Sequence, residues 1–153
     1  CDTGFVYKNF KFNKWLLEKK TDILVWGAKS HPTAILFPNM FGWINSLNKN
    51  IKSVHVKTPY KNPKKDPVIT GTFTYKNKDI FKNSVQSLIE RNEKTNGEFY
   101  LDSAINDAIN LGYKCELFLV EKHISWGPPN DLKTFNYWES CFRKWSSHIF
   151  NGF

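Results

Sequence analysis

The chain has 153 residues, a formal net charge of +8, and 41% hydrophobic and 16% aromatic residues. This length suits one domain with a real core rather than two, and the aromatic content excludes a disordered tail. No apolar run reaches membrane-spanning length and no charged-then-apolar leader precedes the fold, so we expect a soluble protein with no membrane partner. Cys1, Cys115 and Cys141 lack CxxC spacing, which favours a reducing, cytoplasmic compartment over disulfides or zinc, although a lipidated Cys1 stays open.

The positive charge raises the possibility of a nucleic-acid partner, because basic surfaces attract polyanions. The lysines are instead spread through nearly every segment and mixed with asparagine, and no RNP stretch, zinc finger or basic zipper is present. We therefore expect no nucleic-acid partner. A phosphorylated small molecule would use the same charge.

The first half of the chain predicts a helix, a buried strand and a hairpin. Apolar residues at helical spacing predict a helix over 10–20, and the continuously apolar run 22–28 predicts a strand covered on both faces. His31-Pro32 then breaks the chain. Strands over 41–46 and 51–57 flank a four-residue turn, Leu47 to Asn50.

The second half alternates strands with helices. A β-branched strand over 68–75 contains Gly71, which predicts a bulge or a close approach of a ligand. The remaining elements are a helix over 79–91 capped by Asn77, a helix capped by Asp102 and ended by Gly112, a strand over 113–121, and a last helix from Pro128 onward. This order predicts an α/β domain with a mixed sheet.

Three side chains are candidates for ligand binding. Glu98 lies beside Gly97 and among aromatics just before a helix, where a carboxylate can accept hydrogen bonds from a polyhydroxyl ligand. Lys57 ends a strand, where an ammonium suits a phosphate. Asp2 precedes Thr3-Gly4 with little bulk around it, so its carboxylate could reach a metal ion. The histidines are too scattered for a histidine metal site.

In order, several segments resemble the second half of sugar-phosphate nucleotidyltransferases of the glucose-1-phosphate thymidylyltransferase kind. The resemblance covers nearly the whole chain. The segments that carry it are Cys1-Asp2, the strand ending in Ala28, Phe41 to Ile44, Val56 to Pro59, Ile69 to Phe73, Asn96 to Asp102 and Ser125 to Leu132.

The resemblance implies a three-layer, Rossmann-like mixed sheet flanked by helices, present as a partial domain over 1–153. It also implies a reaction in which a sugar 1-phosphate, or a phosphorylated alcohol, attacks the α-phosphorus of a nucleoside triphosphate and expels pyrophosphate, with Mg²⁺ neutralising charge. The product would serve surface polysaccharide synthesis, such as a capsule. A homo-oligomer is compatible with this reading.

The resemblance also assigns roles to particular residues. Asp2 would hold Mg²⁺, Lys57 would contact the acceptor's phosphate, and Glu98 would bind its hydroxyl groups. The other residues implied in substrate binding are Thr70, Gly71, Tyr100, Trp126 and Gly127.

Two departures from the family pattern stand out. The nucleotide-gripping N-terminal half is absent, so we expect this chain alone to be inactive. Ser125 stands where a second metal-binding aspartate is expected, and the nearby Asp131 could serve instead, although it also suits a helix cap. The alternatives are a metal-dependent glycosyltransferase of similar architecture and a non-catalytic carbohydrate-binding module.

Overall fold

The computed structural model describes residues 3–18 and 20–145. Within these ranges it has seven strands and five α-helices, with a 3₁₀ turn at Pro38–Met40. The strands are β1 Thr3–Val6, β2 Ile23–Ala28, β3 Gly42–Leu47, β4 Asn50–Val56, β5 Val68–Tyr75, β6 Cys115–Leu119 and β7 Lys122–Ser125. The helices are α1 Asn9–Glu18, α2 Pro32–Leu36, α3 Lys78–Arg91, α4 Leu101–Asn110 and α5 Pro129–Lys144.

Five strands form the main sheet, in the order β2-β5-β3-β4-β6. β2 runs antiparallel to β5 and parallel to β6, so the sheet is mixed, as predicted. The sheet closes because β6 also pairs with β4, at Asn50 and Glu116. β1 and β7 form a separate two-stranded sheet.

Helices cover both faces of the main sheet, which confirms the predicted α/β architecture. On one face, Val25 and its neighbours pack with Ile80 of α3 and Ile105 of α4 in the main core. On the other, the ring of Trp26 lies 5.5 Å from that of Phe12 in α1, centroid to centroid. Every residue of β2 is therefore buried, and this is why its sequence is continuously apolar.

Two sequence predictions about strand ends are wrong. The β3–β4 hairpin has a two-residue turn, Asn48-Lys49, in which φ is positive at both positions (49° and 73°), the pattern of a type I′ turn that matches strand twist. The strand predicted over 113–121 is confined to β6, Cys115–Leu119, and the separate strand β7, Lys122–Ser125, was not predicted. Between β6 and β7, the amide of Glu121 donates to the carbonyl of Val6, the last residue of β1.

Helix starts were predicted with mixed success. Asn77 caps α3, since its Oδ1 accepts from the amides of Asp79 and Ile80 at 3.0 Å each, as predicted. The break predicted at His31-Pro32 is instead the start of α2. His31 is its N-cap, and Pro32 occupies the first helical position. A backbone N–H at this position has no partner within the helix, so proline loses no hydrogen bond there.

By internal contacts the chain divides into two compact units. The larger comprises Val6–His123 and contains the main sheet with α1 to α4. Within the described ranges, the smaller comprises residues 3–5 and 124–145. Among the helices of the described ranges, none combines the length and the apolar character needed to cross a bilayer.

Candidate functional site

The register of the central strands sets Lys57 and Gly71 at one end of the sheet. Gly42, the first residue of β3, pairs with Val56 of β4, and the next residue, Trp43, pairs with Val68 of β5. Because both pairings are antiparallel, β4 ends and β5 continues past the same end of β3. Lys57 therefore directly follows Val56, the β4 residue that pairs with Gly42. Gly71 lies further along β5, beyond the same end of β3.

Lys57 turns sharply away from β4. Its φ is +53°, a left-handed value that is uncommon for residues other than glycine. Its ammonium lies 5.3 Å from the centre of the Tyr100 ring, within range of a cation–π interaction. The charged end of Lys57 is thus placed beside the residue that precedes α4.

Glu98 is presented by a tight turn just upstream. Asn96 and Gly97 have φ of 51° and 81°, and the flanking Thr95 and Glu98 exchange two backbone hydrogen bonds of 3.0 and 3.1 Å. This is a two-residue turn of the kind that Asn-Gly favours. The hydroxyl of Tyr100 donates to Oε2 of Glu98 at 2.9 Å.

Lys57, Tyr100 and Glu98 therefore form one row, which we call the Lys57 site. Tyr100 contacts the ammonium with its ring and the carboxylate with its hydroxyl. Lys57 and Glu98 form no ion pair within the described residues, so neither charge neutralises the other by direct pairing. An anion can bind at one end of the row and a hydroxyl-bearing group at the other.

Asp102 has a different place from the one predicted. α4 begins at Leu101 with Tyr100 as its N-cap residue and no side-chain cap, so Asp102 lies in the first turn and is not the cap. Its carboxylate lies against Gly42. Burial raises the pKa of Asp102 to about 6, although its own backbone N–H and the charge of Lys57 oppose the rise.

Thr70 and Gly71, predicted together as a pocket wall, face different surroundings. Thr70 is buried and its hydroxyl donates to the carbonyl of Trp26 at 3.1 Å, where the β2–β5 register shifts. Gly71 is exposed, with φ of +81° and open space where a Cβ would stand. A left-handed backbone, rather than crowding, explains glycine at this position.

The remaining predicted residues lie in the smaller unit. The ring of Trp126 packs edge-to-face with Phe135 at 5.2 Å and lies 2.8 Å from where a Cβ on Gly4 would stand, so it fills space within that unit. Gly127 follows it, exposed. Ser125 ends β7, and Asp131 lies in the first turn of α5, whose N-cap residue is Pro128.

The described residues do not provide a complete magnesium site. Asp2 lies outside them, and Ser125 carries no carboxylate. Across 3–18 and 20–145, no three His, Cys, Asp or Glu side chains are grouped as ligands of a metal ion would be. The assignment of Asp2 to Mg²⁺ stays a prediction.

Sequence reasoning missed Gly42 as part of this region. A Cβ there would collide with Asp102 and come 3.2 Å from Cδ1 of Ile69. The available signal was a glycine at the start of a strand, which often marks a close approach of another group.

The elements form a nucleotidyltransferase-like fold that matches about half of the length of similar solved structures. No protein-family model matches the chain, and no curated protein matches it. The likeness therefore lies in the structure rather than in the sequence.

Three solved structures illustrate the likeness. A nucleoside-diphosphate-sugar pyrophosphorylase from Vibrio cholerae RC9 superposes with a TM-score of 0.64 at 16% identity, over 88% of this chain and 52% of that one. A protein from Bacillus anthracis described as a glucose-1-phosphate thymidylyltransferase, solved with a sucrose, gives 0.62 at 19% identity, over 90% and 51%. A CMP:2-keto-3-deoxy-manno-octonic acid synthetase complexed with CTP gives 0.57 at 10% identity, over 85% and 54%. The chain spans about half the length of these structures.

Proposed function

We propose that this chain forms the acceptor-binding part of a nucleotidyltransferase that joins a nucleotidyl group to a phosphorylated sugar or alcohol. The observation that carries the proposal is the Lys57 site, an ammonium and a carboxylate held in one row by Tyr100. The nucleotidyltransferase fold supports it, since similar structures include a pyrophosphorylase of nucleoside-diphosphate sugars. The product, a nucleotide-activated sugar or similar group, would serve polysaccharide synthesis.

The phosphate of the acceptor binds at Lys57. Within the described residues the ammonium of Lys57 has no ion pair, so its charge is available for an incoming anion. The left-handed backbone and the Tyr100 ring fix where that charge lies before the ligand arrives. A preplaced charge costs less conformational entropy on binding.

The hydroxyl groups of the acceptor bind at Glu98. Its Oε2 already accepts from Tyr100, and Oε1 remains to accept from a sugar hydroxyl. The Asn96-Gly97 turn holds the backbone of Glu98 through the two hydrogen bonds between Thr95 and Glu98. Binding at both ends of the row would orient the acceptor.

The orientation serves an in-line displacement. An oxygen of the acceptor's phosphate forms a bond to the α-phosphorus as the bond from that phosphorus to the pyrophosphate breaks, and the electron pair leaves with pyrophosphate. Lys57 holds the attacking phosphate in place, and Glu98 fixes the rest of the acceptor. Neither residue forms a covalent bond or transfers a proton in this scheme.

The proposal is tested by titrating the 153-residue chain with glucose 1-phosphate and following backbone amides by NMR. We expect shifts at Lys57, Glu98 and Tyr100, at least tenfold weaker binding in Lys57→Gln, and weaker binding in Glu98→Gln. Lys52→Gln, at an exposed lysine of β4, the strand that Lys57 follows, is the matched control and should change affinity less than twofold. Phosphocholine and free glucose separate recognition of phosphate from recognition of hydroxyl groups.

Two results would count against the proposal. Stationary amides at Lys57 and Glu98, while others shift, would mean that the site is misplaced. Equal binding of free glucose and glucose 1-phosphate, with no loss in Lys57→Gln, would mean that the site does not select a phosphorylated acceptor and would favour the carbohydrate-binding alternative.

A further inference from the structure

A cavity of about 320 Å³ opens in the larger unit. We propose that it binds a second phosphate-bearing small molecule, a phosphate monoester on a single ring. Its lining shares no residue with the Lys57 site, and the inference does not depend on the proposed function. The residues that carry the argument are Lys29, Lys49, Lys65, Asn45, Tyr60 and Asp66.

Three lysines concentrate positive charge on this cavity. Lys29 follows β2, Lys49 lies in the β3–β4 turn, and Lys65 belongs to the loop before β5. None of the three has an ion pair among the described residues. Several positive charges around one concave site raise the local concentration of an anion. The mutual repulsion of these charges falls when the anion binds.

The loop that carries Lys65 is fixed by its own hydrogen bonds. Oδ2 of Asp66 accepts from the amides of Lys61 and Asn62 at 2.8 and 2.6 Å, and Oδ1 of Asn62 accepts from the amide of Lys64 at 3.0 Å. These are the turn-stabilising contacts that Asp and Asn side chains favour. Asp66 is thus engaged with the backbone, although its carboxylate lines the cavity.

A further bond ties this loop to the segment that carries Lys29. The hydroxyl of Ser30, the next residue, donates to the carbonyl of Lys64 at 3.4 Å. The backbones beside Lys29 and Lys65 are thereby joined across the cavity wall. Two of the three ammonium groups therefore project from connected segments, so less entropy is lost on binding.

The polar wall opposite is also organised. Asn45 donates through Nδ2 to Oγ of Ser53 at 3.2 Å, and that oxygen lies 3.0 Å from Nε2 of His55. The ring of Tyr60 lies 5.0 Å from that of His55, centroid to centroid. The second amide hydrogen of Asn45 and the hydroxyl of Tyr60 remain as donors to an anion.

The volume limits the occupant. About 320 Å³ is at the small end of the range for ligand pockets, which suits one sugar ring with its phosphate. A polynucleotide would instead require an extended basic track with stacking aromatics. The cavity therefore favours a compact phosphate ester.

The test is an NMR titration with ribose 5-phosphate, with free ribose as the uncharged probe. It is run in a Lys57→Gln background so that the Lys57 site does not contribute. The cavity variant is Lys29→Gln/Lys49→Gln/Lys65→Gln, and its control replaces three exposed lysines of α3 and α5, Lys78, Lys82 and Lys133, with Gln. Each triple removes three positive charges, so net charge is matched.

We expect ribose 5-phosphate to shift the amides of Lys49 and Lys65. Its dissociation constant should rise at least tenfold in the cavity variant and less than twofold in the control. Lys29→Gln alone, expected to weaken binding about threefold, keeps the test decisive if the triple variant does not fold. Equal weakening by both triples, or equal shifts from free ribose, would overturn the proposal. So would an oligothymidylate that binds more tightly and is equally weakened by both triples.

Discussion

The carboxylate of Asp102 lies directly against Gly42, where the first turn of α4 meets the start of β3. Oδ2 of Asp102 occupies the space that a Cβ on residue 42 would need, and Ile69 closes the space from the side at 3.2 Å. Glycine at position 42 is therefore what allows the start of α4 to lie this close to the sheet, and it fixes the place of Tyr100 in the Lys57 site.

We predict that Gly42→Ala destabilises the chain by about 2 kcal/mol, the usual cost of overfilling a packed site. Urea unfolding measures the loss. In the background of Asp102→Ala, which removes the colliding carboxylate, the same substitution should cost less than half as much. Equal costs in the two backgrounds would show that Asp102 is not what Gly42 accommodates.

Stability should also depend on pH through Asp102. Burial raises the pKa of Asp102 from 3.8 to about 6, so the folded chain holds this proton more tightly than the unfolded chain does. Its contribution to stability is complete below pH 3.8 and is lost as the pH rises to about 6. The shift corresponds to about 3 kcal/mol as an upper estimate.

Asp102→Asn isolates this contribution, because an amide resembles the protonated acid. We expect the unfolding free energy of Asp102→Asn, relative to the unmodified chain, to grow between pH 4 and pH 7. Lys57 lowers the pKa of Asp102, so Lys57→Gln should move the midpoint of this change upward. Parallel pH profiles of the unfolding free energy for Asp102→Asn and the unmodified chain would contradict the prediction.

The sequence predicted the buried elements best. β2 and β5 were predicted to within a residue because continuously apolar and β-branched runs are local signals. The start of α4 was predicted wrongly because aspartate is a common N-cap residue. The side chain of Asp102 instead lies against Gly42, a tertiary contact that the local sequence does not reveal. The hydrogen bond of Thr70 could not be predicted locally either, since its partner, the carbonyl of Trp26, is 44 residues away.

A buried ion pair joins α3 to α4, and its two halves should differ in cost. Asp107 is 2% exposed and accepts from Nε and the terminal nitrogen of Arg91 at 3.0 and 2.8 Å, whereas the side chain of Arg91 is 35% exposed. Removing Arg91 leaves a carboxylate buried without its partner; removing Asp107 leaves a guanidinium that water can solvate.

We therefore predict a loss of about 3 to 4 kcal/mol for Arg91→Met and about 1 to 2 kcal/mol for Asp107→Asn, measured by urea unfolding. Glu93 also pairs with Arg91 but is 65% exposed, so Glu93→Gln should cost less than about 0.5 kcal/mol. A larger loss from Asp107→Asn than from Arg91→Met would contradict this asymmetry.

Asn106 bonds to the backbone of β4 beyond the single pairing of β4 with β6 at Asn50 and Glu116. Its Oδ1 accepts from the amide of Val54 at 2.7 Å and its Nδ2 donates to the carbonyl of Val54 at 2.8 Å. Asn106→Ala leaves both backbone groups unpaired, so we expect a loss of about 2 to 3 kcal/mol and at least tenfold faster hydrogen exchange at the Val54 amide. Asn110→Ala, exposed at the end of the same helix, is the control and should change neither. If the Val54 amide exchanged no faster in Asn106→Ala, the side-chain contact would not be what protects this part of β4.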